Sequence, residues 1–258
     1  MKLSHTRTGL ETGKRIIFLH GYMENSSMWN EILPAFSEYD CICIDLYGHG
    51  KSPIQKKPLP VSLAFHAEEL LKLIHLFEEK ETILVGHSLG GYLGLELLSL
   101  APDLFKKVIL FHSHPWEDSA EKKIDRERVA KFVQTKKSFF ISEAIPMLFK
   151  AENRSNEYVN EYIQMANGMS SIGIAWSAIA MKNRNNYLNL FVHYPTKITV
   201  IQGEFDALIP IDKMRECCEM LNIQLIEIGN VAHMSHVEAP KEAIEALEKI
   251  ISTVSLIE

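Results

Sequence analysis

The apolar run Thr82-Ile83-Leu84-Val85 passes directly into Gly86-His87-Ser88-Leu89-Gly90-Gly91, after which Leu93, Leu97, Leu98 and Leu100 recur at helical spacing until Ala101-Pro102. A strand, a G-x-S-x-G turn and a helix in direct succession is a strong constraint, because a turn this sharp brings the strand and helix backbones together where a Cβ would clash. That is the reason for glycine at 86 and 90. Ser88 then sits at the tip of the turn, and the N–H groups that open the helix favour negative charge developing beside it.

Four further segments surround this turn in an order that suits a serine nucleophile. Arg15-Ile16-Ile17-Phe18-Leu19 reads as a buried strand running into His20-Gly21-Tyr22. Acyl transfer needs N–H donors aimed at the oxyanion. We assign these to the backbone of Tyr22 and to that of Leu89, the residue after the serine, while the Tyr22 side chain serves equally well as a wall of the cleft. Cys41 to Ile44 is a second apolar strand, followed by Asp45-Leu46-Tyr47-Gly48-His49-Gly50-Lys51-Ser52; this loop is read as holding the site in shape, not as supplying catalytic groups. Lys197 to Ile201 delivers carboxylates at its C-terminal end, where ligands approach open parallel sheets. Of these, Asp206 is the expected partner of a catalytic histidine, with Glu204 and Asp212 as competitors on the surface or in caps. Gln224 to Ile228 is a last strand, and Gly229-Asn230-Val231-Ala232-His233 follows in a loop. His233 suits a general base for Ser88, because imidazole titrates near neutral pH; His236 is read as a packing or surface histidine.

The order Ser88, Asp206, His233, together with the His20-Gly21 loop, the Asp45 to Ser52 segment, Gln202-Gly203-Glu204-Phe205-Asp206, and Ala232-His233 with Glu238 and Pro240 beyond, resembles the α/β-hydrolase family from Arg15 to the last helix. The resemblance implies Tyr22 and Leu89 as the oxyanion hole and His233 as the catalytic histidine. It departs at Ala232, where the family usually has glycine, and in the short leader of fourteen residues before Arg15. One strand, around Lys2 to Thr8, is therefore expected ahead of Arg15. The expected fold is α/β, a mostly parallel sheet of about seven strands flanked by helices, with a helical cap inserted after the strand ending near Phe111. Residues 1–113 and 195–258 would form the core and 114–194 the cap.

Amphipathic patterns from Ser62 to Glu78 and from Lys241 to Ile251 supply helices that cover the sheet. In the inserted part, Glu117 to Lys137 is densely charged and reads as a solvated helix surface. Apolar and methionine-rich stretches follow, and His20, Met147, Trp176 and Met181 are the expected substrate-pocket residues. His87 should buttress the turn, Trp29 should pack at a helix start, and His112 and His114 lack a visible third ligand for a metal site.

The 258 residues, 47% of them hydrophobic, can fill one substantial core. A net charge of −6 gives no reason to expect nucleic acid or an anionic membrane as partner. Cys41, Cys43, Cys217 and Cys218 read as reduced packing residues, and Met1 to Thr6 lacks the apolar core of a signal peptide, so the cytoplasm is the expected location. The expected activity is hydrolysis of small or medium, fairly apolar carboxylic esters through an acyl-enzyme on Ser88, with a small-molecule ester as partner and neither cofactor nor metal. Two alternatives remain open: a C–C bond hydrolase, thioesterase or lyase with the same three residues, which would need a basic residue in the cleft, with Arg126, Arg128, Arg154 and Arg184 of the inserted part as candidates, and a weakly catalytic ligand-sensing protein.

Overall fold

A computed structural model describes residues 3–54 and 60–254. Short apolar runs become strands β1 (His5–Gly9), β2 (Arg15–Leu19), β3 (Asp40–Ile44), β4 (Thr82–His87), β5 (Phe105–Phe111), β6 (Ile198–Gly203) and β7 (Gln224–Ile228). The helices are α1 (Leu63–Ile74), α2 (Leu89–Leu100), α3 (Ala120–Ala144), α4 (Glu157–Asn167), α5 (Ser171–Lys182), α6 (Leu188–His193), α7 (Ile211–Met220), α8 (Ser235–Glu238) and α9 (Pro240–Val254). The seven strands lie in the order β1-β3-β2-β4-β5-β6-β7. Only β1 runs antiparallel to its neighbour, pairing His5 with Ile44. The leader therefore adds one edge strand, as expected, although Lys2 lies outside the described residues.

The central strands are buried on both faces, so each alternates between two apolar layers rather than between core and water. Ile17, Leu19, Leu84, Val108 and Leu110 pack on one side against Leu70, Leu93 and Leu97 of α1 and α2. Ile16, Phe18, Val85, Ile109 and Phe111 face the other side, toward Ala243, Leu247 and Ile250 of α9. Helix α1 starts where Ser62 caps it, its Oγ accepting from Phe65 N–H, and ends at Ile74, short of the expected Glu78. The four helices α3 to α6 are inserted between β5 and β6, and α3 is kinked at Lys136. No helix among the described residues is long and apolar enough to cross a membrane.

Far from the C-terminal strand ends, Asp40 is fully buried and accepts from Arg15 Nε at 3.0 Å, Arg15 Nη2 at 2.9 Å and Arg7 Nε at 2.6 Å. Burial alone would raise the Asp40 carboxyl, but the hydrogen bonds from Arg7 and Arg15 outweigh it and hold the group below its ordinary value. A carboxyl depressed in the folded state stabilises the fold above its unfolded value, about 3.9, and that contribution is lost as pH falls through the lower folded value. Asp40→Asn, which leaves Arg15 buried without its anion, is expected to lose about 3 kcal/mol or more at pH 7. The gap from the parent should narrow below about pH 4 as the parent's own carboxylate protonates. Chemical denaturation at pH 7 and pH 3 checks this, and an equal gap at both would contradict it.

Candidate active site

The chain runs from β2 outward to β3 and then returns to β4 on the other side of β2, so the sheet's topological switch point lies between β2 and β4. Crevices outside the carboxyl ends of strands at such a point are where open α/β sheets bind ligands. The loop after β2 and the turn after β4 meet there around a largely enclosed cavity of about 110 Å³. Its walls include Tyr22, Glu24, His87, Ser88, Tyr92 and His233 from the sheet side, and Lys122, Arg126, Leu148 and Met181 from the inserted segment.

Ser88 holds φ +48° and ψ −109°, a conformation that L residues rarely adopt. It is fixed from both sides: its N–H donates to Phe111 O at 3.0 Å, and its own carbonyl accepts from Ser113 Oγ at 2.9 Å. A Cβ on Gly86 would stand 2.4 Å from the backbone of Gly90, and one on Gly90 would stand 2.4 Å from Leu19 O. Only glycine fits either position. Leu89 is the first residue of α2, so its N–H is among those a helix cannot pair internally.

His233 is 2% exposed, and its Nδ1–H donates to Asp206 Oδ2 at 2.7 Å, which leaves Nε2 as the basic nitrogen. Asp206 is held on every side. Its Oδ1 accepts from the backbone N–H groups of Leu208 (2.9 Å) and Ile209 (3.1 Å), while Oδ2 also accepts from Gln202 Nε2 (2.8 Å) and His112 Nδ1 (3.1 Å). Burial would raise this carboxyl, but the charge and hydrogen bonds of His233 and His112 outweigh it and hold it far below the usual carboxylate range. Burial pushes His112 down to about 4, so it is a neutral donor here, and its Nε2 meets Ser235 Oγ at 2.7 Å.

His112, Asp206 and His233 also place three potential ligand atoms within 4.8 Å of one another. Asp206 already accepts five N–H groups, three on Oδ2 from His233, His112 and Gln202 and two on Oδ1 from Leu208 and Ile209, so its carboxylate has no lone pair left to turn to a shared ion. The Gln202 amide donor on Oδ2 suits an anion held by N–H groups, so this cluster does not fit a metal.

A second buried pair lies beside the serine. His87 Nδ1 donates to Glu24 Oε2 at 2.8 Å, the same oxygen accepts from Gly21 N–H at 2.5 Å, and His87 Nε2 meets His233 O at 3.0 Å. Burial opposes charge on His87, but Glu24 and the His233 carbonyl outweigh it and raise its affinity for a proton. One ion pair thus ties the loop after β2, the turn after β4 and the His233 loop together. His233 N–H also donates to Leu148 O at 3.0 Å, and Glu238 joins Ala232 N–H to Lys150 N–H, both at 2.8 Å. The inserted segment is therefore bonded directly to the His233 loop.

Several sequence expectations need correction. His20 does not line the cavity: its Nδ1 bonds Gly21 O and its Nε2 accepts Leu46 N–H, so it is a neutral clasp between two loops. Trp176 packs edge-on against Tyr47 and His66, away from the cavity. Met147 is half exposed in the 3₁₀ turn Pro146–Leu148, and it is Leu148 that faces inward. Met181 does line the cavity. Lys122, expected on a solvated surface, lines it as well, as does Arg126, one of the four arginines that the C–C hydrolase alternative offered.

The remaining expectations concern neighbours of the site. Tyr22 lines the cavity and its hydroxyl donates to Ile174 O at 3.0 Å. Glu204 and Asp212 are occupied elsewhere, by Asn230 N–H and Arg215. His236 is buried against Tyr162, Trp29 packs on Phe18 and Phe111, and His112 and His114 diverge, the latter toward the Tyr92 hydroxyl. Asp45 and His49 hold loops by accepting backbone N–H groups, those of Ser26 and Lys51 and that of Met23. Glu24 had no sequence signal of its own, Gln202 stood out only as part of the Gln202–Asp206 segment, and His112 only as one of a histidine pair weighed for a metal.

Comparison with known proteins matches residues 14–240 to the α/β-hydrolase fold. A Haemophilus influenzae protein assigned as an esterase/lipase is 26% identical over 245 residues, covering 92% of this chain and 83% of that one. The pimeloyl-[acyl-carrier protein] methyl ester esterase of Wigglesworthia glossinidia brevipalpis is 25% identical over 209 residues, 76% of either chain. Among solved structures, a thermophilic esterase from Thermogutta terrifontis with malate bound superposes with a TM-score of 0.89 at 26% identity, covering 98% of this chain and 93% of that one.

Proposed function

Given that the chain belongs to the α/β-hydrolase fold family and is a hydrolase of that family, we propose that it cleaves small or medium carboxylic esters through an acyl-enzyme on Ser88. The observation that carries this reading is the His233 Nδ1–Asp206 Oδ2 bond of 2.7 Å, which leaves Nε2 free to act as base in a cavity that His233 shares with Ser88.

In this mechanism His233 Nε2 takes the Ser88 hydroxyl proton as Oγ attacks the ester carbonyl carbon. The carbonyl oxygen becomes an oxyanion held by the backbone N–H groups of Tyr22 and Leu89. Collapse of this adduct breaks the bond to the alcohol oxygen, which leaves with the proton from His233. Water, deprotonated by the same nitrogen, then attacks the acyl-enzyme, and the carboxylic acid departs as Ser88 Oγ regains its proton. Asp206 keeps the proton on Nδ1 and balances the imidazolium in both halves. We place the helices of residues 114–194 as the cap that closes the site.

A second reading, C–C bond hydrolysis, thioester hydrolysis or lyase chemistry with the same residues, gains support from Lys122 and Arg126, since such substrates often carry carboxylates. A screen of p-nitrophenyl esters from acetate to decanoate, run beside a diketone and a thioester, separates the two. The ester reading expects turnover of the short esters and labelling of Ser88 by a fluorophosphonate probe. Turnover of the diketone or thioester alone would overturn it.

A further inference from the structure

Two cations reach the cavity from one helix. Lys122 and Arg126 stand four apart on α3, hence on one face, and both line the space that Ser88 and His233 share. Arg126 uses Nε to bond Asp118 Oδ2 at 3.2 Å, and Arg184 Nη2 stands 2.8 Å from Asp118 Oδ1, so one buried carboxylate is shared by two guanidinium groups. Among the described residues no carboxylate lies within ion-pair distance of Lys122. Glu24 is matched by His87, and Asp206 by His233 and His112. The inserted side of the cavity therefore carries more positive than negative charge.

The placing of Lys122 is unfavourable on balance. It occupies the third position of α3, after the Ser119 cap, where the helix dipole favours acids. Partial burial and the nearby Arg126 further disfavour its charge and lower its pKa, while Asp118 and Asp206 act in the opposite sense. A lysine kept against these costs, in the wall of the reaction chamber, has a reason if an anion arrives there. Lys122 also borders a second cavity of about 160 Å³ that shares Leu208 and Ile209 with the first, so it stands where a substrate's far end would pass.

We propose that the ester cleaved at Ser88 carries a second, ionised carboxyl group, and that Lys122 and Arg126 bind it. This rests on the ester-hydrolase reading and narrows it from fairly apolar esters to small anionic ones. The first cavity, near 110 Å³, suits an acid with only a few carbons between its carboxylate and the reacting carbonyl.

The test is a ratio of kcat/KM values followed by pH-stat, for monomethyl succinate over methyl butyrate and for acetoxyacetate over propyl acetate. These pairs place the carboxylate on the acyl and on the alcohol side. The parent should favour the anionic member of one pair by about tenfold to a hundredfold, the effect of a hydrogen bond to a charged group. Lys122→Met should cut that ratio by about tenfold and Lys122→Glu should cut it further. Any general loss of activity cancels in the ratio, and Lys122→Glu suits the helix start, so misfolding does not mimic the result. Neutral esters turned over as well as or better than both anionic partners, or a ratio unmoved in both variants, would overturn the anion site while leaving the ester reading intact. Turnover of none of the four, nor of p-nitrophenyl acetate, would overturn the ester reading itself.

Discussion

Ser88→Ala is expected to lower kcat/KM for p-nitrophenyl acetate by about ten-thousandfold or more, some 5 kcal/mol of transition-state stabilisation, with little change in thermal stability. The effect is large because the reading routes bond formation through Ser88 Oγ, and nothing else on that side chain takes part. Stability should be spared because the Ser88 anchors lie in the backbone: its N–H bonds Phe111 O and its carbonyl accepts from Ser113 Oγ. Alanine keeps the Cβ, so the positive φ of the turn costs the same with either residue. Steady-state kinetics and a thermal melt on the same preparation check both halves. Activity within tenfold of the parent would remove Ser88 from the chemistry.

The sheet was legible because its strands are short, apolar and separated by turn or helix signals, and because a strand, a glycine-framed serine and a helix leave little choice of geometry. The placement of Asp206 and His233 followed from the same logic, each standing in a loop after a parallel strand whose C-terminal end faces the switch point. The walls of the cavity were harder to read. Along α5 apolar residues stand on every side and most are buried, so periodicity could not show that Met181 turns to the cavity while Trp176 turns to Tyr47 and His66. In the first two turns of α3 charges lie on all sides and only Ala120 and Ile124 are apolar, so no stripe marks the inward face there; Lys122 looked like its solvated neighbours, and nothing separated Arg126 from the other arginines of the inserted part. The 3₁₀ turn at Pro146–Leu148 moved the inward position by one residue, from Met147 to Leu148. Glu24 resembled an ordinary loop carboxylate because its partner His87 is 63 residues away in the chain.

Asp206→Asn is expected to cost about as much activity as loss of the nucleophile, roughly ten-thousandfold in kcat, although the substituted amide is nearly the same size. The reason lies in the orientation the surroundings impose. Oδ1 of residue 206 accepts two backbone N–H groups, from Leu208 and Ile209, so an asparagine must turn its carbonyl oxygen toward them. Its NH₂ group then replaces Oδ2, facing the Nδ1 atoms of His233 and His112 and the amide of Gln202, all donors in the parent. A donor cannot bond a donor, so His233 must shift its proton to Nε2, the nitrogen that has to accept from Ser88. His112 faces the same demand but has an escape, because its Nε2 meets a hydroxyl that can reverse its bond, that of Ser235. ¹⁵N NMR of labelled histidine should show His233 protonated on Nδ1 in the parent and on Nε2 in the variant, with a thermal melt confirming that the variant is folded. A folded variant that adopts the Nε2–H form yet keeps its activity within tenfold would separate the carboxylate from the reaction. An inactive variant that retains the Nδ1–H form would instead assign the loss to the missing negative charge.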